Sequence, residues 1–153
     1  MNKTAPFKIL RTCLLATPLI FSLAGSVNAK SIGKDQVNIR EQPNTNSPVL
    51  FIAPLGYPIK IVKESNGWVY FKDWQNNNGW VHKPLISNID TAVIIVEKAN
   101  IRSTSNTSGS VVANAEFGEI YTIQARAKNW VKLGYYESGA TVGWIRTDLI
   151  FGH

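Results

Sequence analysis

The chain has 153 residues, 44% of them hydrophobic, with 16 basic and 10 acidic side chains and a formal net charge of +6. Its one cysteine, Cys13, excludes an internal disulfide, so the protein must be held together by packing. The basic residues are too few and too scattered to follow a phosphate backbone, and we therefore predict no nucleic acid partner.

The first 29 residues have the layout of a helical secretory signal peptide. Lys3, Lys8 and Arg11 give a positive start, the segment 13–24 is nearly all apolar or small, and the segment 27–29 supplies the small residues that signal peptidase requires. Because the apolar segment is shorter than the about 20 residues that span a bilayer, we favour cleavage over a retained anchor.

We predict cleavage after Ala29 and a location in the bacterial periplasm or outside the cell. The mature chain then has no cysteine, no membrane span, and 13 basic against 10 acidic residues, a net charge of +3. An exported domain without disulfides is ordinary in a bacterial periplasm.

From residue 37 onward the chain repeats itself. The segment 37–71 aligns without a gap with the segment 99–133, 62 positions later. Gly79-Trp80-Val81 then returns as Gly143-Trp144-Ile145, at an offset of 64. Self-similarity of this kind indicates one structural unit used twice.

Each copy shows the period-two pattern of half-buried strands. Val131 and Leu133 alternate with polar or aromatic neighbours, as Val69 and Phe71 do in the first copy. Turn residues such as those in the segment 43–48 separate these patterns. The predicted fold class is all-β, with about five short strands per copy forming a small barrel.

The two copies are predicted to be separate domains that pack together. We place the first domain over residues 30–88 and the second over residues 89–153. Val93-Ile94-Ile95-Val96 is apolar on both faces, which indicates a strand that is covered on both sides. The first copy is the expected cover, since the connection at 87–90 is short.

The motifs of both copies resemble those of the bacterial SH3-like domain family. In the first copy they are Val37-Asn38-Ile39-Arg40, Pro43, Ser47-Pro48-Val49, Gly56, Asn66-Gly67-Trp68-Val69, Gly79-Trp80-Val81 and Leu85-Ile86. The second copy departs from them in its turns, where Ser105 replaces Pro43 and Gly109 replaces Ser47. The resemblance implies two tandem SH3-like barrels in an exported bacterial protein. Family members often serve as targeting or interaction modules at the cell wall, commonly attached to wall hydrolases, and no attached hydrolase domain is expected here.

The mature chain offers little chemistry for catalysis. Without cysteine, thiol catalysis and thiolate metal sites are excluded. His82 occupies the position that Arg146 fills in the second copy, which indicates a surface residue and not a general base. The ten acidic residues are scattered, and no pair of them recurs in both copies. We therefore predict no enzyme activity, no cofactor and no metal site.

Aromatic side chains are the predicted binding groups. By strand alternation, Trp68 and Tyr70 lie on the face opposite to Val69, and a hairpin closed through 76–79 brings Trp80 beside them. The candidate ligand-binding residues are Trp68, Tyr70, Trp74, Trp80, Trp130, Tyr135 and Trp144. Such rings suit peptide or glycan ligands, because they give a large contact area and a polar handle.

Two roles fit the repeated tryptophans, closing an end of the barrel and contacting a ligand. For each repeated tryptophan taken alone, we favour the first role. Trp74 has no counterpart in the second copy and lies among polar residues, so we expect it to be the most exposed. Arg40 and Arg102 are expected to bind turn carbonyls and not a ligand.

The favoured function is that of an exported, non-catalytic module that binds peptidoglycan or another component of the cell envelope. The modest positive charge is compatible with the carboxylates of peptidoglycan. The alternative is a periplasmic adaptor that docks onto an envelope protein and has no wall affinity. A small hydrolase built on the same barrel is a third hypothesis.

Overall fold

The computed structural model describes residues 30–153. The predicted signal peptide, its helix and its cleavage after Ala29 lie outside the described residues. Among residues 30–153, no helix combines the length and the apolar character needed to cross a membrane.

The described chain folds into two antiparallel sheets of seven strands each. The first contains β1 Lys30–Ile32, β2 Val37–Arg40, β3 Val49–Ala53, β4 Pro58–Ser65, β5 Trp68–Lys72, β6 Asn78–His82 and β7 Ile86–Ser87. The second contains β8 Thr91–Ile94, β9 Lys98–Arg102, β10 Val111–Glu116, β11 Ile120–Ala127, β12 Trp130–Gly134, β13 Thr141–Arg146 and β14 Ile150–Phe151. The spatial orders are β3-β2-β6-β5-β4-β1-β7 and β10-β9-β13-β12-β11-β8-β14, so one arrangement is used twice.

This architecture confirms the predicted all-β class and is consistent with an SH3-like barrel in each half. The predicted number of five strands per copy is wrong, because β1 and β7 add two strands to the first sheet and β8 and β14 add two to the second. With three and two residues, β1 and β7 are too short to show an alternating pattern in the sequence. The division of the chain into domains at residue 88 stays a prediction.

Bulges at equivalent positions bend both sheets. The pairing of β4 with β5 shifts by one residue between Ile61 and Lys63, and that of β11 with β12 shifts between Ile123 and Ala125. A bulge increases the local twist of a strand, which helps a small sheet to curl around its own core.

Each sheet encloses a separate hydrophobic core. The first core consists of Ile32, Val37, Ile39, Ala53, Tyr57, Ile59, Val69, Phe71 and Val81. The second consists of Ala92, Ile94, Ala99, Ile101, Ala115, Tyr121, Val131, Leu133, Ile145 and Ile150. The alternation predicted for β5 and β12 is confirmed, because Val69, Phe71, Val131 and Leu133 all face inward.

The repeated glycine of the Gly-Trp motif has a packing reason. A Cβ added at Gly79 would lie 2.5 Å from Cγ2 of Ile39, and one added at Gly143 would lie 2.7 Å from the carbonyl oxygen of Arg102. Only glycine lets β6 and β13 approach β2 and β9 so closely. This close approach positions the tryptophan that follows each glycine.

The two halves pack against each other. The hydroxyl of Thr91 donates a hydrogen bond of 2.6 Å to the carbonyl of Gly56, and the hydroxyl of Ser31 donates one of 2.7 Å to the carbonyl of Ile89. Ile120, from the second half, packs on the first core. The halves are therefore joined by contacts on both sides of the short connection.

The segment 93–96, predicted to be covered on both faces, is fully buried only in its first part. Val93 and Ile94 are fully buried, whereas Ile95 is 37% exposed. β8 ends at Ile94, after which Ile95 is exposed and Val96 packs against the second core.

Candidate functional site

The hairpin β5–β6 carries four rings on its outer face. Trp68 lies opposite His82 and Tyr70 lies opposite Trp80 in the strand register. The ring centroids of each pair are 5.3 Å apart. The same alternation that buries Val69 therefore brings these predicted aromatic residues together.

A groove of about 670 Å³ opens beside the Trp68–His82 pair. Its lining includes Asn38, Arg40, Thr45, Trp68, His82 and Leu85. Trp68 is only 9% exposed and forms a wall, whereas His82 is exposed at the surface. Apolar walls combined with a few polar groups are the usual composition of a ligand-binding groove.

The loop between β2 and β3 borders this groove and is held by Arg40. Arg40 Nη1 donates a hydrogen bond of 2.6 Å to the carbonyl of Ser47, and the hydroxyl of Ser47 accepts one of 2.8 Å from the backbone N–H of Gln42. In the second half, Arg102 donates in the same way to the carbonyl of Gly109, at 2.8 Å. The prediction that both arginines bind turn carbonyls is confirmed.

A smaller groove of about 230 Å³ lies at the equivalent place in the second half. Its lining includes Asn100, Arg102, Thr107, Trp130, Arg146 and Leu149. These six residues correspond in sequence to the six named for the first groove, at an offset of 62 before the hairpin loop and 64 after it. The same surface is therefore built twice.

Sequence reasoning found the tryptophan wall of each groove but missed the polar residues beside it. Asn38 and Thr45 line the first groove, and Asn100 and Thr107 line the second. Their signal was present in the sequence, because Asn-Ile-Arg and Asn-Thr both recur at an offset of 62. Polar residues that recur outside the core indicate a shared surface as well as a shared fold.

Tyr70 and Trp80 form a second aromatic patch beside the first groove. Lys63 Nζ lies 5.2 Å from the ring centroid of Tyr70 and 5.4 Å from that of Trp80. In the second half, Lys132 takes the place of Tyr70, and its Nζ lies 5.8 Å from the ring centroid of Trp144. Because Trp80 is also only 8% exposed, its ring is covered by its neighbours and is not an open platform.

The expectation that Trp74 is the most exposed aromatic is wrong. Its ring packs between Tyr57, at 4.8 Å between centroids, and Phe151 of the second half, at 6.3 Å. Its indole Nε1 is buried and has no hydrogen-bond partner within residues 30–153. The polar loop around Trp74 suggested a solvent-exposed position, but the second half covers this side of the loop.

Tyr135 is 52% exposed, as a binding residue would be, but it lies apart from the second groove. Its ring centroid is 6.0 Å from that of Tyr121, and Trp130 is the predicted aromatic residue that lines the groove. The seven predicted residues therefore do not form one patch. Of the seven, only Trp68 and Trp130 line the grooves.

An exposed ion pair lies at the edge of the second groove. Arg146 Nε donates a hydrogen bond of 2.9 Å to Asp148 Oδ1, and Arg146 Nη2 pairs with Asp148 Oδ2. The hydrogen bond from Arg146 lowers the pKa of the Asp148 carboxyl and raises the pKa of the guanidinium. Across residues 30–153, no three His, Cys, Asp or Glu side chains cluster so that they could hold a metal ion.

Residues 35–87, which contain β2 to β7, match the family model described as bacterial SH3 domain. A relative in Bacillus subtilis (strain 168) is YrvJ, an inferred N-acetylmuramoyl-L-alanine amidase. It is 24% identical over 165 aligned positions, which cover 98% of this chain and 31% of YrvJ. The chain therefore spans about a third of the length of that relative.

Two solved structures from Trichomonas vaginalis are also similar to this chain. NlpC2 is 18% identical, with 82% of this chain and 49% of that chain covered and a TM-score of 0.34. NlpC1 is 19% identical, with 88% of this chain and 50% of that chain covered and a TM-score of 0.33.

Proposed function

We propose that the protein is an exported, non-catalytic pair of bacterial SH3-like modules that binds peptidoglycan in the cell envelope. The observation that carries this proposal is the recurrence of one groove, walled by Trp68 in the first half and by Trp130 in the second. A tryptophan that only closed a barrel would need no repeated asparagine, threonine and leucine around it. The recurring polar groups favour a ligand.

The comparisons support a ligand of the cell wall. The bacterial SH3 match covers the half that holds the larger groove. YrvJ carries the name of an amidase that acts on N-acetylmuramoyl-L-alanine, a linkage of peptidoglycan. Together with the predicted signal peptide, this similarity supports a location outside the cytoplasm.

The composition of the grooves supports binding without catalysis. His82 is the histidine of the first groove, and its ring packs on that of Trp68. In the second groove its place is taken by Arg146, which has no base function at neutral pH. A general base is therefore not a shared feature of the two grooves, whereas the tryptophan wall is.

Co-sedimentation with purified peptidoglycan sacculi tests the proposal. The mature protein should sediment with the sacculi, and a double variant with Asn38→Ala and Trp68→Phe should bind about tenfold more weakly, because both side chains line the groove. Asn114→Ala, an exposed asparagine on β10, is the matched control and should sediment like the wild type. Release of muropeptides by the wild type would contradict the non-catalytic role.

One observation favours the alternative of an adaptor that docks onto an envelope protein. β3 is the terminal strand of the first sheet, and it exposes Leu50 and Ile52 on its outer face. An edge strand with exposed apolar residues can pair with a strand of another protein. Failure to sediment with sacculi, combined with co-purification of one envelope protein that Ile52→Lys abolishes, would favour this function over wall binding.

A further inference from the structure

The two grooves share eight equivalent lining positions and differ at three of them. Asparagine, arginine, threonine, tryptophan and leucine recur unchanged. Gln36, Val37 and His82 of the first groove are replaced by Lys98, Ala99 and Arg146 in the second, and the last exchange is the one at the hairpin side of the groove. Two residues further along the chain, Pro84 corresponds to Asp148. Pro84 lies in the short 3-10 turn 83–85, directly after His82. Asp148 lies in the equivalent turn 147–149, directly after Arg146.

The replacement changes what the side chain at this position can do. Pro84 has no group that could bind His82, and the imidazole remains exposed beside Trp68. Asp148 binds Arg146 through both carboxylate oxygens. A two-point pair of this kind sets the plane of a guanidinium and uses two of its five N–H donors, so Arg146 is held at the groove edge.

The two grooves also differ in volume. The first groove measures about 670 Å³ and the second about 230 Å³. Ligand sites for small molecules usually fall between about 300 and 1,000 Å³, so only the first groove is of the usual size.

We infer that the first groove is the peptidoglycan-binding site and that the Arg146–Asp148 pair closes the second groove to the same ligand. Among the differences between the grooves, we hold the exchange at positions 82 and 84, or 146 and 148, responsible for which half binds. This inference rests on the proposed function and assigns that function to one of the two halves.

An NMR titration with a soluble disaccharide peptide, released from sacculi by a muramidase, tests the inference. The indole N–H signals of Trp68 and Trp130 report on the two grooves separately, and single Trp→Phe variants assign them. In the wild type, the Trp68 signal should shift and the Trp130 signal should not. In a double variant with Arg146→His and Asp148→Pro, both signals should shift.

The reverse exchange provides the matched variant. A double variant with His82→Arg and Pro84→Asp should lose the shift at Trp68 and should no longer sediment with sacculi. If proline at position 148 prevents folding, Asp148→Ala releases Arg146 without a backbone constraint, and the Trp130 signal should then shift on titration.

The outcomes separate the inference from the proposed function. Shifts at both indoles of the wild type, or at Trp130 alone, would overturn the inference and leave wall binding intact. Sedimentation of the wild type without a shift at either indole would place the binding surface elsewhere and overturn the inference. A wild type that neither sediments nor shows a shift would overturn both.

Discussion

The buried hydroxyl of Thr91, on β8, donates a hydrogen bond of 2.6 Å to the carbonyl of Gly56, in the turn between β3 and β4. This bond joins the two copies of the repeat. Thr91→Val should therefore lower the free energy of unfolding by about 1 to 3 kcal/mol, because it leaves a buried carbonyl without its donor. Urea unfolding measures the loss. Thr91→Ser keeps the hydroxyl and should lose less stability than Thr91→Val. Equal stability of the valine variant and the wild type would contradict this role for the bond.

The contribution of Tyr57 to stability should be lost in alkali. Burial, together with the hydrogen bond that its hydroxyl donates to Asp73 at 2.6 Å, raises the pKa of Tyr57 well above its ordinary value. The unfolded chain ionises this group near pH 10, at about the reference value. Because the folded state holds the proton more tightly, the contribution of Tyr57 is fully present below that pH and is lost as pH rises through the pKa of the folded state.

Comparison with Tyr57→Phe isolates this effect from the titration of the lysines. Near neutral pH the variant should be less stable by about 1.5 to 3 kcal/mol, the usual range for a hydrogen bond to a charged group. The difference should shrink as pH rises above about 10. Urea unfolding of both proteins across this range is the measurement, and a difference that stays constant would show that the hydroxyl does not retain its proton in the folded state.

Local patterns in the sequence predicted the parts of the structure that depend on near neighbours. Strand alternation predicted that Val69 and Phe71 face the core and that Trp68 and Tyr70 face outward, because successive side chains of a strand leave opposite faces. The repetition of Arg40 indicated an anchor for a turn, and its bond to Ser47 confirms this.

The sequence did not predict features that depend on how distant parts of the chain are placed in space. Trp74 lies in a polar loop, and only the position of Phe151 on the second half shows why it is covered. Nor could the sequence show that the grooves differ in volume, since this depends on how the loops around each groove are placed in space. Both features depend on the placement of residues that are far apart in the sequence. Periodicity does not encode that placement.

Gly143 should be far less tolerant of a side chain than Gly139 of the same half. A Cβ at this position would lie 2.7 Å from the carbonyl oxygen of Arg102 and 2.7 Å from Cγ2 of Ile101. Its φ of 153° adds backbone strain for any other residue. Gly143→Ala should therefore lower the free energy of unfolding by about 2 to 4 kcal/mol.

Gly139→Ala is the matched control for this prediction. Gly139 also has a positive φ, of 67°, but a Cβ there would meet no atom within 4 Å. Its substitution should cost only the conformational strain, about 1 kcal/mol. Thermal unfolding of both variants compares the two losses, and equal losses would mean that the close approach of β13 to β9 does not limit the size of residue 143.

Trp74 should contribute to stability and not to wall binding. Trp74→Ala removes the ring between Tyr57 and Phe151 and should lower the free energy of unfolding by about 3 kcal/mol, as for other large-to-small changes in a packed interior. Trp74→Phe keeps an aromatic ring there and removes the buried indole N–H that has no partner within residues 30–153. The loss of stability in Trp74→Phe should therefore be clearly smaller than in Trp74→Ala. The phenylalanine variant should also sediment with sacculi as the wild type does, and weaker sedimentation of this folded variant would return Trp74 to the ligand-binding surface.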